Sequence, residues 1–267
     1  MTKEKELLLS EFIKLAKKGY VKGVNNITNS VGLTFESQLG KKPDSDYLPD
    51  YNGIELKCTT RFSRYPISLF SKSFDGPNDF EMNRLLKTYG KKDIQFEGKF
   101  QLFGVVRTRR LTLINSNYFK LEVSREDKKI YLLVYDMNKK LIEKLSYIDF
   151  YSLEERIMLK LSNLSLIYAS KTKKENSQYF RYYKIVFYKI KDFDIFLDLL
   201  EKDKIEVTLC ARVSRSGVEC GRQRNKNLVF KILKESVDEL FLKEFEYNFD
   251  TSSKANETQC LWQANNY

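Results

Sequence analysis

The chain has 267 residues, of which 42% are hydrophobic and 14% aromatic, so it holds enough apolar surface for a sizeable core and is not a disordered protein. It contains no histidine, which excludes Ser-His and Cys-His nucleophilic sites and argues against a Cys/His zinc site. The formal net charge is +11, and most of the basic excess lies between residues 101 and 234, which favours a polyanionic partner such as nucleic acid.

Hydrophobic periodicity predicts the elements in chain order. The first are helices over 3–19 and 34–39, strands over 54–60 and 67–71, and a helix over 80–89. Strands over 100–107, 118–125, 129–136 and 139–147 follow. The last are a helix over 150–162, a strand pair over 164–173 and 178–190, a helix over 192–202, and strands over 205–213 and 227–234. The fold class is therefore mixed α/β (α+β), with a strand-rich and basic second half.

The four cysteines show no C-x-x-C spacing, and we expect them to be free thiols of a cytoplasmic protein. No apolar run approaches the roughly 20 residues that a membrane-spanning helix needs. We therefore expect no membrane partner.

The segment 47-YLPDYNGIELKCTTR-61 carries an unusual charge pattern on its predicted strand. Because side chains alternate across a strand, Ile54, Leu56 and Cys58 share one face, and Glu55 and Lys57 share the other. A polar face of this kind is most often simply solvated. This solvated face is the first of two hypotheses for the segment.

The second hypothesis is a metal site. Asp50 precedes a short turn over residues 51–53 that can bring its carboxylate beside Glu55. Two carboxylates and the backbone carbonyl of Leu56 are hard oxygen ligands suited to Mg²⁺. Lys57 would then lie beside the metal, where it can orient an attacking water or balance the charge of a phosphate. The pattern D-x4-E-x-K alone favours the solvated face, since short motifs often match by accident.

Three further sequence blocks favour the metal site over the solvated face. They are T-F-E-x-x-L-G over 34–40, S-L-F-S-K over 68–72 and Y-G-K-K-D over 89–93, and they flank P-D-x-x-G-I-E-L-K over 49–57. Together the four blocks resemble the MvaI/BcnI family of restriction endonucleases, which is related to the mismatch-repair nicking enzyme MutH within the PD-(D/E)xK nuclease fold. The resemblance is dense over about residues 28–93 and returns weakly over 204–233.

The resemblance implies roles for individual residues. Asp50 and Glu55 would be the metal-ligating carboxylates, and Lys57 the lysine beside the nucleophilic water. Glu36 matches a helical glutamate near the active site that would hold Lys57 or a second metal, and an exposed helical glutamate is an equal alternative. Lys72 is a candidate contact to the scissile or a neighbouring phosphate.

A second lobe grips the DNA in the family that the chain resembles. The best candidate here is the basic loop over 212–227, with Arg212, Arg215, Arg222, Arg224 and Lys226 as candidate DNA contacts. An arginine can read guanine in the major groove, whereas a plain phosphate grip is the commoner role of any single arginine. Relatives carry histidine in base-contacting positions, and this chain has none, so its recognition sequence stays open.

Two other basic or aromatic clusters allow alternatives. The cluster 107-RTRR-110 either contacts the DNA backbone, which we favour slightly, or faces solvent. The tyrosine-rich stretch over 179–190 could stack bases, but one core face and one amphipathic face is the better interpretation of its pattern.

The resemblance implies a PD-(D/E)xK fold, in which a mixed central sheet flanked by helices carries the active site. The expected division is a catalytic lobe over 1–110, a DNA-recognition lobe over 111–250, and a polar, frayed tail over 251–267. The implied activity is that of a type II restriction endonuclease, which hydrolyses double-stranded DNA with Mg²⁺, or with Mn²⁺ in its place, and leaves a 5′-phosphate. The implied enzyme is a monomer that cuts the strands in turn at a short, nearly palindromic, GC-rich site. A cognate DNA methyltransferase would protect the host DNA.

Two alternatives follow from the same residues. The nearest is a MutH-like enzyme that nicks one strand, and digestion of supercoiled plasmid would separate it from a restriction enzyme. The other is a DNA-binding module that no longer cuts, against which the intact set of Asp50, Glu55 and Lys57 argues.

Overall fold

The computed structural model describes residues 1–27, 29–41, 48–215, 217 and 219–249, without the side chains of Asn225 and Lys226. The polar tail expected over 251–267 lies outside the described residues. The helices in the described part are α1 (Lys3–Lys17), α2 (Ser30–Gln38), α3 (Glu81–Tyr89), α4 (Phe150–Leu161), α5 (Phe193–Glu201) and the short α6 (Val237–Leu240).

The strands alternate with these helices along the chain. They are β1 (Val21–Lys22), β2 (Glu55–Thr60), β3 (Ile67–Lys72), β4 (Lys91–Lys92), β5 (Phe100–Val106), β6 (Thr112–Ile114), β7 (Asn117–Ser124), β8 (Lys129–Tyr135), β9 (Leu141–Glu143), β10 (Tyr147–Asp149), β11 (Asn163–Lys174), β12 (Ser177–Ile190), β13 (Ile205–Val213), β14 (Gln223–Ile232) and β15 (Phe241–Asn248). The mixed α/β class is thereby confirmed.

Differences from the predicted elements have physical causes. Helix α2 begins at Ser30, before the predicted start, and the strand predicted over 139–147 is split into β9 and β10. Strands β1 and β4 have two residues each, which is too short for a periodicity signal. Strand β15 was missed because it is exposed or half-buried at most positions, so charged residues interrupt its apolar pattern.

The chain forms two compact units that interleave along the sequence. The first comprises Met1–Arg64, Lys160–Ile190 and Phe241–Tyr267, and the second comprises Tyr65–Leu159 and Lys191–Leu240. Their bounds are therefore not those of the expected lobes over 1–110 and 111–250, and the roles given to those lobes stay predictions.

The first unit is built on one mixed sheet with the order β1-β12-β11-β2, and β15 also pairs with β12. Strands β11 and β12 form a long antiparallel hairpin, whereas β2 runs parallel to β11, with Leu164 opposite Glu55 and Leu166 opposite Lys57. Helices α1 and α2 supply side chains such as Phe12 and Phe35 to the core on one face of this sheet. Strand β2 therefore lies at a sheet edge, with one face in the core.

The second unit contains two sheets in its described part, ordered β3-β14-β13-β5-β4 and β10-β8-β7-β6, with β9 paired to β8. Gly104 of β5 permits a close approach to β6, because a Cβ at this position would lie 2.5 Å from Ile114 Cδ1. Helix α3 is fixed by Arg84, which bonds to Glu81 and Glu143. In the part of the chain that the structure describes, none of the helices combines the length and apolarity needed to cross a membrane.

Candidate active site

The turn before β2 brings the two halves of the sequence motif together. The backbone N–H of Tyr51 donates to the Ile54 carbonyl at 2.9 Å, and the Ile54 N–H donates back to Tyr51 at 2.8 Å. Asn52 and Gly53 between them have φ values of 45° and 80°. Asn-Gly is the pair that best tolerates this left-handed backbone, so the local sequence encodes a tight reversal next to Asp50.

Strand β2 divides its side chains between two faces, as the sequence predicts. Ile54 and Leu56 are buried in the core of the first unit, and Cys58 packs against that core. Glu55 lies on the opposite face and is only 3% exposed, so the solvated-face hypothesis is wrong for this glutamate. An ionised carboxylate at this depth needs partners, because burying it alone is expensive.

Asp50 is fixed against the edge of the strand. Its Oδ2 accepts a hydrogen bond from the Leu56 backbone N–H at 3.0 Å. In an extended strand, the N–H and the carbonyl of one residue point to the same side. The Leu56 carbonyl therefore faces the same edge of β2 as the Asp50 carboxylate.

The Glu55 carboxylate is held between two lysines, one on each oxygen. Lys57 Nζ donates to Oε1 at 2.6 Å, and Lys160 Nζ donates to Oε2 at 3.0 Å. Lys160 comes from the last turn of α4 and also donates to the Leu48 carbonyl at 2.5 Å. Sequence reasoning missed Lys160, because nothing distinguishes it from an ordinary lysine at a helix end.

A third lysine faces Asp50. Lys41 Nζ lies 3.4 Å from Asp50 Oδ1, and both side chains are about one-fifth exposed. This lysine was also missed by the sequence analysis. The two acidic side chains are thus contacted by three ammonium groups.

Glu36 is half-buried on α2 and acts on the same neighbourhood. Burial raises the pKa of the Cys58 thiol well above its usual value, and the negative charges of Glu36 and Asp50 raise it further. Burial likewise raises the pKa of the Tyr182 hydroxyl, to which Glu36 again contributes. Glu36 is therefore electrostatically linked to the carboxylate site.

The donor set fits a hard divalent cation with water in its shell. In the described part of the chain, no three His, Cys, Asp or Glu side chains form a ready-made metal cluster. Mg²⁺ does not require one, because it retains several waters and usually takes only one or two protein carboxylates. Asp50, Glu55 and the Leu56 carbonyl supply oxygen ligands of this kind.

Lys72 lies in the second unit, at the end of β3. Its ammonium donates to Asp75 Oδ1 at 2.7 Å, and its side chain is 12% exposed. Asp75 also accepts hydrogen bonds from the Asp149 N–H and the Ser152 hydroxyl. Lys72 is thus engaged in a local polar cluster of the second unit.

The predicted DNA contacts lie on the hairpin of β13 and β14, where Arg212 and Arg224 are paired in register. The guanidinium of Arg212 lies 3.7 Å from the ring centroid of Phe103. Arg222 is 71% exposed in its side chain and forms an ion pair with Glu219 at 2.9 Å. Arg224 is exposed, and the Lys226 side chain lies outside the described residues.

Arg215 differs from the other arginines of this hairpin. It donates to both oxygens of Asp93, at 2.9 and 2.6 Å. Asp93 also accepts from the backbone N–H groups of Gln95 and Phe96 and from the Gln101 amide. The hydrogen bond from Arg215 lowers the pKa of Asp93 well below its usual range. This ion pair joins the loop to Asp93, a residue to which the sequence analysis gave no role. The contact of Arg215 with DNA stays a prediction.

The basic cluster over 107–110 and the tyrosine-rich stretch over 179–190 both make contacts within the protein. Arg107 forms an ion pair with Glu206, and Arg109 Nε donates to the Glu201 carbonyl at 3.0 Å, so both arginines make contacts within the protein. On β12, Phe180 and Tyr182 are buried in the core of the first unit, as the preferred interpretation of that stretch predicted.

Comparisons with known proteins support a family and a fold. A family model described as the MvaI/BcnI restriction endonuclease family matches residues 9–241. A solved structure titled "Restriction endonuclease MvaI-cognate DNA substrate complex" is similar at 24% identity, covering 91% of this chain and 98% of that one, with a TM-score of 0.86. The structure of MvaI in the absence of DNA has 21% identity, the same coverage and a TM-score of 0.57. A search of curated proteins gives no match.

Proposed function

Since the chain belongs to the MvaI/BcnI restriction endonuclease family, we propose that this site-specific DNA endonuclease hydrolyses double-stranded DNA with Mg²⁺ held by Asp50 and Glu55. Mn²⁺ is expected to substitute for Mg²⁺. The products carry 5′-phosphates, and the enzyme acts in the cytoplasm as a monomer that cuts the two strands in turn. Its site is short, nearly palindromic and GC-rich, and a cognate methyltransferase protects the host DNA.

The hydrogen bond from the Leu56 N–H to Asp50 carries this proposal. It sets the Asp50 carboxylate and the Leu56 carbonyl at one edge of β2, next in sequence to the buried Glu55. A solvated polar strand would need neither the buried glutamate nor an aspartate returning across a tight turn. Two carboxylates and a backbone carbonyl from one short segment are oxygen donors of the kind that a Mg²⁺-dependent hydrolase uses.

The bound cation would polarise a phosphoryl oxygen and lower the pKa of a coordinated water. Lys57 supplies the remaining charge, because its flexible ammonium lies at Glu55 Oε1 and is 21% exposed, so it can turn towards a water or a phosphate oxygen. Asp50 keeps its place through the Leu56 N–H, and a cation at its other oxygen, Oδ1, would take the place of the Lys41 ammonium there. Glu36 either holds Lys57 or assists a second cation.

The arginines of the β13–β14 hairpin supply the sequence-reading surface of this proposal. Arg212, Arg222 and Arg224 are exposed and can meet phosphate oxygens or guanine edges. Lys226 and Lys72 add phosphate contacts, whereas the ion pair with Asp93 argues that Arg215 supports the loop. On this proposal, the first unit cleaves the DNA and the second unit, with the hairpin, reads it.

Digestion of unmethylated supercoiled plasmids with Mg²⁺ tests the proposal. Discrete linear fragments, whose sequenced and end-labelled termini share one short site and a 5′-phosphate, are the expected result. Products that stop at open circles would indicate a strand-nicking enzyme instead. Binding without cleavage on many DNAs, in Mg²⁺ and in Mn²⁺, would indicate a DNA-binding module that does not cut.

A further inference from the structure

We propose that Lys160 is a positioning residue, which joins the segment before Asp50 to Glu55 and thereby sets the spacing of the two carboxylates for metal binding. This inference rests on the proposed function. It goes beyond the sequence motif, because Lys160 lies on α4, more than one hundred residues downstream of Glu55 in the chain.

Lys160 makes contact with both halves of the site. Its ammonium donates to Glu55 Oε2 at 3.0 Å and to the Leu48 carbonyl at 2.5 Å. Leu48 lies two residues before Asp50, whose own carboxylate is tied to the Leu56 N–H. The Lys160 ammonium therefore bridges the strand that carries Glu55 and the loop that carries Asp50.

The burial of Lys160 favours a functional role over a purely stabilising one. Its side chain is 8% exposed and that of Glu55 is 4% exposed. A buried ion pair is weak evidence for stability, since an apolar pair of similar volume often does as well. A buried lysine at Glu55 is accounted for if this carboxylate has to keep one fixed orientation as a metal ligand.

The two lysines on Glu55 cannot have the same role. A divalent cation bound at Glu55 Oε1 would compete with Lys57, which holds that oxygen at 2.6 Å and is the more exposed of the two lysines. Lys160 holds the other oxygen and is also tied to a backbone carbonyl. When the cation binds, Lys57 therefore turns towards the reacting phosphate while Lys160 stays in place.

The Mg²⁺ concentration that cleavage requires separates a positioning role of Lys160 from a purely structural one. In Lys160→Met, the Mg²⁺ concentration for half-maximal cleavage is expected to rise about 10- to 100-fold, the usual effect of losing a residue that orients a metal ligand. Lys5→Met is the matched control, because Lys5 is a buried lysine of the same unit, 6% exposed and paired with Glu244. This control should lose stability without any shift in the Mg²⁺ midpoint.

A second readout does not depend on cleavage. Calorimetric titration of Ca²⁺ into the enzyme–DNA complex should show weaker binding in Lys160→Met than in Lys5→Met. Lys160→Arg, which keeps a cation near Glu55, should recover part of this affinity. A wild-type Ca²⁺ affinity in a folded Lys160→Met protein would overturn the proposal.

A crystal structure of the wild-type enzyme with DNA and Ca²⁺ tests the same point even if Lys160→Met does not fold. Lys160 Nζ should remain in hydrogen-bond contact with Glu55 and the Leu48 carbonyl, with Lys57 displaced from Glu55. If Lys160 has left Glu55 while Lys57 remains, the inference is wrong. A wild-type enzyme that cuts equally well in EDTA would instead remove the proposed Mg²⁺ chemistry itself.

Discussion

Asp50 is tied to Leu56 by a hydrogen bond of 3.0 Å that spans the tight turn between them, so the two halves of the motif form one rigid piece. Glu55 lies between these residues in sequence and is buried on the opposite face of the strand from the core. Contacts within the protein thus fix the positions of both carboxylates. This preorganisation makes the effects of single substitutions predictable.

Removing the charge of Asp50 or the ammonium of Lys57 should abolish cleavage and leave DNA binding intact. Asp50→Asn keeps an oxygen that can accept from the Leu56 N–H but loses the charge that a cation needs. Lys57→Ala removes the group next to the reacting phosphate. We expect cleavage to fall at least about 100-fold in each, from the typical loss when one charge-stabilising group is removed.

Plasmid cleavage in Mg²⁺ and gel-shift affinity in Ca²⁺ measure these two effects separately. Lys184→Met is a suitable control, because Lys184 pairs with Glu246 at 3.0 Å in the same unit and lies outside the proposed site. Cleavage at the wild-type rate in either site variant would remove the assignment of the active site.

The left-handed turn gives a second prediction. Gly53 has a φ of 80°, and an added methyl group there should strain the turn by about 1–2 kcal/mol. We expect Gly53→Ala to lower cleavage in addition to lowering stability, because the strain displaces Asp50 from its position in the metal site.

Gly19→Ala is the matched control for this variant. Gly19 also has a left-handed φ, of 72°, with no atom within 4 Å of an added Cβ, and it follows α1 rather than the site. Thermal denaturation should show similar losses for both variants, whereas the Mg²⁺ midpoint of cleavage should shift only in Gly53→Ala. Equal cleavage by the two variants would contradict a role of the turn in metal binding.

Arg222 and Arg224 allow a test of base reading against phosphate binding. An arginine that reads a guanine should lose about 1–3 kcal/mol of discrimination at one base position when it is replaced by alanine. One that binds phosphate should weaken all sequences alike and reduce the salt slope by about one unit. Competition binding with single-base variants of the site, at several salt concentrations, distinguishes the two roles.

Glu219 provides the control for Arg222, because the two form an ion pair at 2.9 Å. Glu219→Gln releases this arginine and should leave DNA affinity unchanged or raise it. A weaker affinity in Glu219→Gln would mean that the ion pair itself orients Arg222 for binding.

The local part of the site was predictable from the sequence. Glu55 and Lys57 follow from the period of a strand, and the position of Asp50 follows from an Asn-Gly turn, both of which involve near neighbours in the chain. The four sequence blocks also indicated the family, and the match of the family model over residues 9–241 confirms it.

The remaining parts depend on contacts between distant segments. Lys160 is brought to Glu55 because β11, which begins at Asn163, pairs with β2, and no local pattern encodes that approach. Arg215 was predicted to contact DNA because it lies in a basic loop. Its ion pair with Asp93, which lies 122 residues earlier in the chain, was not visible in composition or spacing.

The ion pair of Asp93 with Arg215 gives a pH-dependent prediction. Because the hydrogen bond from Arg215 lowers the pKa of Asp93 in the folded protein, its stabilisation is fully present above the unfolded value of about 3.9 and is lost as the pH falls towards the folded value. Thermal denaturation of Asp93→Asn should therefore show a lower Tm than wild type by a constant amount from pH 8 to pH 5. Below about pH 4, the two proteins should converge. A difference in Tm that is the same at pH 3 and pH 7 would show that the ionised carboxylate is not what supports the loop.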